Sequence, residues 1–446
     1  MPKRNFIWLL AILLTALAAV WLTRAQQRLV IERPDGAEAV GAAFRQIQQN
    51  WYPGTDADAY RRQILERMVG MLDDPYSVYI PPQRGDLLSQ RIQGKQRGVG
   101  LVLGPDAGGL AVLGSDPASP AYRAGILPGD RVLQIDQKPA ANLNVAAADA
   151  LLDGPVGTEH TLLLSRPTAQ NPLEIVLRVE QYDVETVVGL GRDRDGKWIH
   201  RIGDQQQFVY VHVREFVDQT AGDFHQAVHL GGARGLILDL RGNPGGLLPA
   251  AIELTNMFLR EGLIARVVSS RGDEIRHEAI SNGTYPPVPV VVLIDGQSAS
   301  GAELVAGALA HHRRGLVIGQ ASQGKGLIQS LIELPSQAGY LYLTTSEFLV
   351  AGESILPGPG RRGGIQPHQV VQIPPDKQGE LARLRHIAGL LPGPVDDAQT
   401  DRQIRQERIR QILQLDSQLS AAIQWLSRPA EYRRRLEQDR TAAQPE

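Results

Sequence analysis

The chain has 446 residues, 43% of them apolar and 21% charged, the composition of a folded protein too long for one ordinary hydrophobic core. Its 46 basic and 48 acidic residues leave a formal charge of -2, so the charge balance gives no case for a nucleic-acid partner. Cysteine is absent, which excludes a thiol nucleophile, a thiolate metal site and a disulfide framework.

Lys3 and Arg4 precede an apolar run at 6–22, interrupted by Thr15 and followed by Arg24. As a helix this run spans roughly 26 Å, enough for a thin bilayer. The cations ahead of it predict a cytoplasmic N-terminus and an exported body. Residues 1–27 therefore read as an anchor in a bacterial inner membrane, with the body on its periplasmic side. The alternative is a cleaved signal segment that leaves the body free in the periplasm, since Ala16-Leu17-Ala18 has the A-x-A form.

Residues 28–91 read as helical. Val40, Phe44 and Ile47, then Leu65, Met68, Val69 and Leu72, recur at helical spacing around Tyr52-Pro53-Gly54. The segment Asp73-Asp74-Pro75-Tyr76-Ser77 stops the helix. Residues 92–180 form a β-rich unit, with strands predicted at 99–103, 110–113, 131–135, 161–164 and 173–179, and helices at 120–124 and 145–152. Residues 181–375 alternate as α/β. Strands are predicted at 209–213, 236–240, 288–294, 316–318 and 341–348, and helices at 224–230, 250–258 and 303–311. Strands apolar throughout predict a sheet covered on both faces. Residues 376–446 form a helical region whose long amphipathic helix over 398–427 offers a packing or partner-binding face. The fold class is thus α/β and β-rich multidomain.

Three loops carry candidate chemistry. In Asp295-Gly296-Gln297-Ser298-Ala299-Ser300-Gly301, small residues surround a serine between a buried strand and a helix. A carbonyl can approach there, and the first N–H groups of the helix can stabilise negative charge. Ser300 and Glu303 also match a capping box, a purely structural role. In Gly324-Lys325-Gly326, flanking glycines permit close backbone approach, and a partly buried lysine could lose its charge and accept a hydroxyl proton. An exposed glycine turn is the alternative. Gln329, four residues on, could orient the amine if this stretch turns helically. The loop Asp239-Leu240-Arg241-Gly242-Asn243-Pro244-Gly245-Gly246 offers unobstructed N–H groups, with Asp239 and Arg241 as a bracing ion pair. A simple turn would serve equally. His200, His212, His225 and His229 leave a Ser-His-Asp arrangement open without a local pattern to nominate one. His311 lies roughly 16 Å along its helix from Ser300, too far for proton transfer.

The segments SASGAELVAGAL (298–309), GQASQGKGLIQ (319–329) and LILDLRGNPGGLL (236–248) resemble the carboxyl-terminal processing, or tail-specific, proteases. The resemblance implies Ser300 as nucleophile, Lys325 as general base, Gln329 as orienting residue, and an oxyanion hole from Gly301 with Gly245 or Gly246. LDDPYSVYI (72–80) resembles the segment ahead of the family's PDZ domain, and GVGLVL (98–103) with SPAYRAGILPGDRVLQID (119–136) resembles that domain. Gly98, Val99, Gly100, Leu101 and Val102 would then receive a substrate's C-terminus by strand addition. Val99, Leu101 and Val102 would equally suit a strand core. The implied fold is an N-terminal helical segment, a PDZ domain and an α/β serine protease core with a ClpP/crotonase-like unit. The implied function is a serine endopeptidase that cuts extracytoplasmic proteins through an acyl-enzyme. It needs no cofactor, and its partners are unfolded or tail-exposed proteins, an adaptor, the inner membrane and a second copy through the helical termini. A silent PDZ scaffold and an acyltransferase are the competing functions. Gly301, Gln323 and His368 depart from the family's usual alanine, aromatic and aspartate.

Overall fold

The computed structural model describes residues 36–442 apart from the segments 52–55, 107–108, 168, 204, 281–284, 359, 361 and 391–397. The chain divides at Asp73 into two units. The first contains the helices Gly36–Asn50 and Ala57–Gly70. Asp56 caps the second by accepting the N–H groups of Asp58 and Ala59, and Phe44 stacks on Tyr60 with ring centroids 5.7 Å apart.

The expected hold on an inner membrane is corrected by the structure. No helix among the described residues is long and apolar enough to cross a membrane. The run at 6–22 itself lies outside the described residues.

Within the second unit, the β-rich part forms around antiparallel strands in the order Leu101–Asp106, Gly109–Ser115, Arg131–Ile135, Glu159–Ser165 and Leu173–Arg178. Alternation puts Leu110, Val112, Leu162 and Leu164 inside, where they meet Ala148 and Leu152 of the helix Val145–Leu152. A two-stranded ribbon, Lys95–Gly98 against Glu180–Asp183, closes this part off from the rest.

The α/β part centres on parallel strands in the order Phe208–Val213, Gly235–Asp239, Val290–Ile294, Leu316–Gly319 and Gln369–Val370. The middle strands are apolar because both faces are covered. One face packs the helices Leu248–Asn256 and Gly301–His311 through Leu254, Leu304 and Val305, among others. The other is covered by the chain's C-terminal helices through Ile412, Leu419, Ala422, Leu426 and Tyr432. Their apolar stripe is therefore used within the chain, and the surface on which self-association was expected is occupied.

A second, antiparallel sheet joins Val78–Ile80, Tyr340–Val350, Leu263–Ser269 and Glu274–Glu278, with Leu327–Glu333 also paired to the long strand Tyr340–Val350. The helix expected over 398–427 is two, Ala398–Leu415 and Ser417–Ser427, broken at Asp416. The helix expected at 224–230 runs earlier, Thr220–Ala227, and 236–240 is the strand Gly235–Asp239.

Candidate active site

Three loops leave the carboxyl ends of neighbouring parallel strands and meet. They follow Asp239, Ile294 and Gly319, the position where open α/β sheets gather their ligands. The middle loop turns sharply into the helix Gly301–His311. Ser300 stands at that turn with φ 52° and ψ -115°, a left-handed conformation that costs a serine about 1–3 kcal/mol. A serine on such a strand-to-helix turn projects its hydroxyl clear of its neighbours.

The turn is braced on every side. Ser298, fully buried, donates its hydroxyl to the Leu240 carbonyl at 2.8 Å, and the Ala299 N–H donates to the Asn243 carbonyl at 2.9 Å. The Asp295 carboxylate accepts the Gly242 N–H at 3.0 Å. Glu303, one turn into the helix, is fully buried and accepts four bonds. One oxygen takes the Ser300 N–H at 2.8 Å and the Lys325 N–H at 2.9 Å. The other takes the Ser322 hydroxyl and the Gly324 N–H, both at 2.6 Å. The sequence marked Glu303 only as a cap; here it also ties the lysine loop to the serine turn. The Gln323 N–H adds a bond to the Ser298 carbonyl at 3.0 Å.

Gly245 and Gly246 lie against this turn. A Cβ on Gly245 would stand 2.6 Å from the Ser300 Cβ, and one on Gly246 2.1 Å from the Phe216 carbonyl oxygen, so neither position admits a side chain. The Gly245 N–H is engaged by the Asn243 side chain at 2.7 Å. Among the described residues no acceptor is recorded for the N–H of Gly246 or of Gly301. The predicted pair Asp239–Arg241 forms, with Arg241 Nε 2.8 Å from the Asp239 carboxylate, and Arg241 reaches on to Asp416 at 2.9 Å and Gln418 at 2.8 Å. Burial alone would raise the Asp239 carboxyl, but Arg241 holds it well below the usual carboxylate range.

Lys325 is half-buried, and burial lowers its amine from the ordinary 10.5, opposed by the charges of Asp74 and Glu303. Its Nζ lies 4.7 Å from the centroid of the Tyr76 ring. No hydrogen bond joins it to Ser300 among the described residues. Gln329 sits in the strand Leu327–Glu333, so the helical turn on which its contact with the amine depended is absent. It donates instead to the Thr344 hydroxyl at 3.1 Å. No chemical role for Asp74, Tyr76 or Thr344 could be read in the sequence; the Asp-Pro-Tyr-Ser run marked a helix stop and part of the resemblance.

Three of the four histidines that the sequence left open are otherwise engaged. His200, His212 and His225 bond to the Tyr210 carbonyl, the Arg241 carbonyl and the Tyr285 hydroxyl.

Of the proposed tail-binding residues, Val99 is core and Leu101 half-buried against it. The carbonyls of Val99 and Gly100 accept the N–H groups of Ala121 and Asp116. Val102 faces the opposite side, lining a cavity of about 400 Å³ with Tyr122, Arg385 and His386. Leu101–Asp106 is an edge strand, its recorded partner among the described residues being Gly109–Ser115.

A β-rich peptide-binding unit joined to an α/β core with a serine on a strained strand-to-helix turn defines a PDZ-bearing serine-type endopeptidase. Residues 207–371 match peptidase family S41, and residues 112–166 match the PDZ domain. A carboxy-terminal-processing protease of Bartonella bacilliformis is 32% identical over 375 residues, covering 78% of this chain and 80% of that protein. The carboxy-terminal processing protease CtpA of Bacillus subtilis is 29% identical over 341 residues, covering 76% of this chain and 69% of that protein. Among solved structures, a photosystem II D1 C-terminal processing protease shares the fold, with a TM-score of 0.50, 24% identity, and coverage of 79% of this chain and 97% of the other. The chain belongs to the carboxy-terminal processing protease family, peptidase family S41.

Proposed function

We propose that this chain cuts exported proteins near their C-termini, with Ser300 as nucleophile and Lys325 as general base. The observation that carries the reading is the buried Glu303 carboxylate, which accepts from the backbone of both residues and so fixes their loops together. The neutral lysine amine takes the hydroxyl proton as the serine oxygen attacks a peptide carbonyl, and the resulting ammonium protonates the leaving amine. The N–H groups of Gly301 and Gly246 receive the oxyanion, while Gly245 allows the close approach. Lys325 then activates water against the acyl-enzyme. Gln329 acts through Thr344, on the strand behind the lysine.

The β-rich unit, 92–180, serves as the tail-reading PDZ domain, offering the edge strand that starts at Leu101 for strand addition beside the loop Gly98–Val99–Gly100. We assign 181–375 to the protease core and 376–446 to a helical cover on its sheet. The parallel strands with their covering helices support a ClpP/crotonase-like unit in that core. The enzyme works in the periplasm or an equivalent exported space.

Ser300→Ala and Lys325→Ala are each expected to lower cleavage of an unfolded protein by about a thousandfold or more, with the fold intact. Lys325→Arg fails as well, because guanidinium stays protonated. Initial rates on one unfolded substrate test this, alongside circular dichroism. Near-normal cleavage by purified Lys325→Ala overturns the assignment.

A further inference from the structure

The Lys325 ammonium rests on an aromatic face, and the loop that presents this face is unusually well fixed. One oxygen of Asp74 accepts the Tyr76 N–H at 3.0 Å, and the other accepts the Ser77 hydroxyl at 2.5 Å. The Ser77 hydroxyl in turn accepts the Thr344 N–H at 3.0 Å. Thr344 receives Gln329 through its own hydroxyl, and Val78–Ile80 pairs with Tyr340–Tyr342 of the same strand. Tyr76 is therefore pinned to the sheet that carries the residues following Lys325.

An aromatic face attracts an ammonium and has no such attraction for a neutral amine. The two protonation states of Lys325 are thus held differently by one ring. We propose that Tyr76 is a positioning residue that seats the protonated Lys325 of the resting enzyme on its ring face and releases the neutral amine to Ser300. This rests on the reading of Lys325 as the base. The charges acting on the amine are Asp74 from the same loop and Glu303 from the helix after Ser300, and both favour the ammonium. Glu347 stands across from Leu327 on the paired strand. Burial outweighs the charges of Asp74 and Glu303, and the ring adds to their side.

The test titrates the Lys325 amine in the full chain carrying Ser300→Ala, by trace labelling with acetic anhydride across pH and mass spectrometry of the peptide that contains it. With Tyr76→Leu the midpoint is expected to fall by about half a pH unit or more. With Tyr76→Phe, which keeps the ring face, it stays in place. Replacing Tyr76 with phenylalanines bearing one to three fluorines keeps the shape and weakens the face, and the midpoint is expected to fall stepwise. That series decides the matter even if Tyr76→Leu does not fold. In the chain with Ser300 restored, the acid limb of kcat/KM moves with the midpoint. An unchanged midpoint across the fluorinated series overturns the proposal. Failure of the parent reading shows separately, as cleavage that survives Lys325→Ala while the labelling midpoint still responds to Tyr76.

Discussion

Glu303 carries two loops on one carboxylate, and its four partners are all donors. A glutamine in its place would turn an NH2 group toward two of them whichever way its amide points, leaving buried N–H groups facing another donor. Glu303→Gln is therefore expected to keep the fold and lower kcat by about ten- to a hundredfold. A serine-reactive probe should label Ser300 more slowly in the same variant. Unchanged kcat and labelling would show that the carboxylate is only a helix cap. His368, which stands where the family usually has aspartate, keeps one of that residue's capacities: its Nδ1 accepts the Val317 N–H at 2.8 Å. Neither role could be seen in the sequence. S-x-x-E advertises a cap, and the second oxygen of Glu303 finds its partners only after the strand Leu316–Gly319 has folded beside it.

At the scale of elements, the break between Ala398–Leu415 and Ser417–Ser427 has a local and a distant cause. Asp416 caps the second helix by accepting the Leu419 N–H at 3.0 Å, and it meets Arg241 and Arg385. Burial would raise its carboxyl, but the two arginines hold it below the ordinary value. Asp416→Ala strips the cap and leaves Arg241, which is 5% exposed, one carboxylate short. The expected cost is about 3–5 kcal/mol, read from denaturant unfolding, with Asp416→Asn milder. The same variant should lose activity beyond its loss of stability, because Arg241 steadies the loop that ends in Gly245 and Gly246. Stability equal to the parent's would sink this account. The strands Gly235–Asp239 and Val290–Ile294 were legible because both faces are covered and the side chains ahead of Asp239, and all of those in Val290–Ile294, are apolar. Glu274–Glu278 was not: apart from Ile275 its side chains are polar or charged, most are exposed, and only its neighbour in the sheet makes it a strand. Leu327–Glu333 was hidden in the same way by the glycines before it.

Across the whole molecule, acid should act through histidines kept neutral by burial. His212 and His386 are both pushed down to about 4 from 6.5, mainly by burial. The unfolded chain therefore binds more protons than the folded one between those values. Stability is unaffected by these groups above about pH 6.5 and is lost as pH falls toward about 4. His212 donates to the Arg241 carbonyl, and His212→Gln keeps a donor without the titration. Thermal unfolding between pH 7.5 and 4.5 should show a shallower acid slope in that variant; an identical slope would assign acid sensitivity elsewhere. The family resemblance could be read in the sequence, because its serine, lysine and glycine-rich segments are local strings of residues. The cover that the last helices place on the core sheet could not, since an amphipathic stripe does not name what it packs against.

The clamp between Arg241 and Asp416 spans 175 positions of the chain. A ribosome adding about 5–20 residues each second needs roughly nine to thirty-five seconds to cover that stretch. Throughout that interval the loop ending in Gly245 and Gly246 lacks its anchor, although the serine and lysine loops are synthesised within it. A nascent copy thus lacks the bracing of its proposed oxyanion loop until the segment around Asp416 emerges. The delay is written into chain order, since the serine and the lysine are both synthesised before the carboxylate that anchors the neighbouring loop.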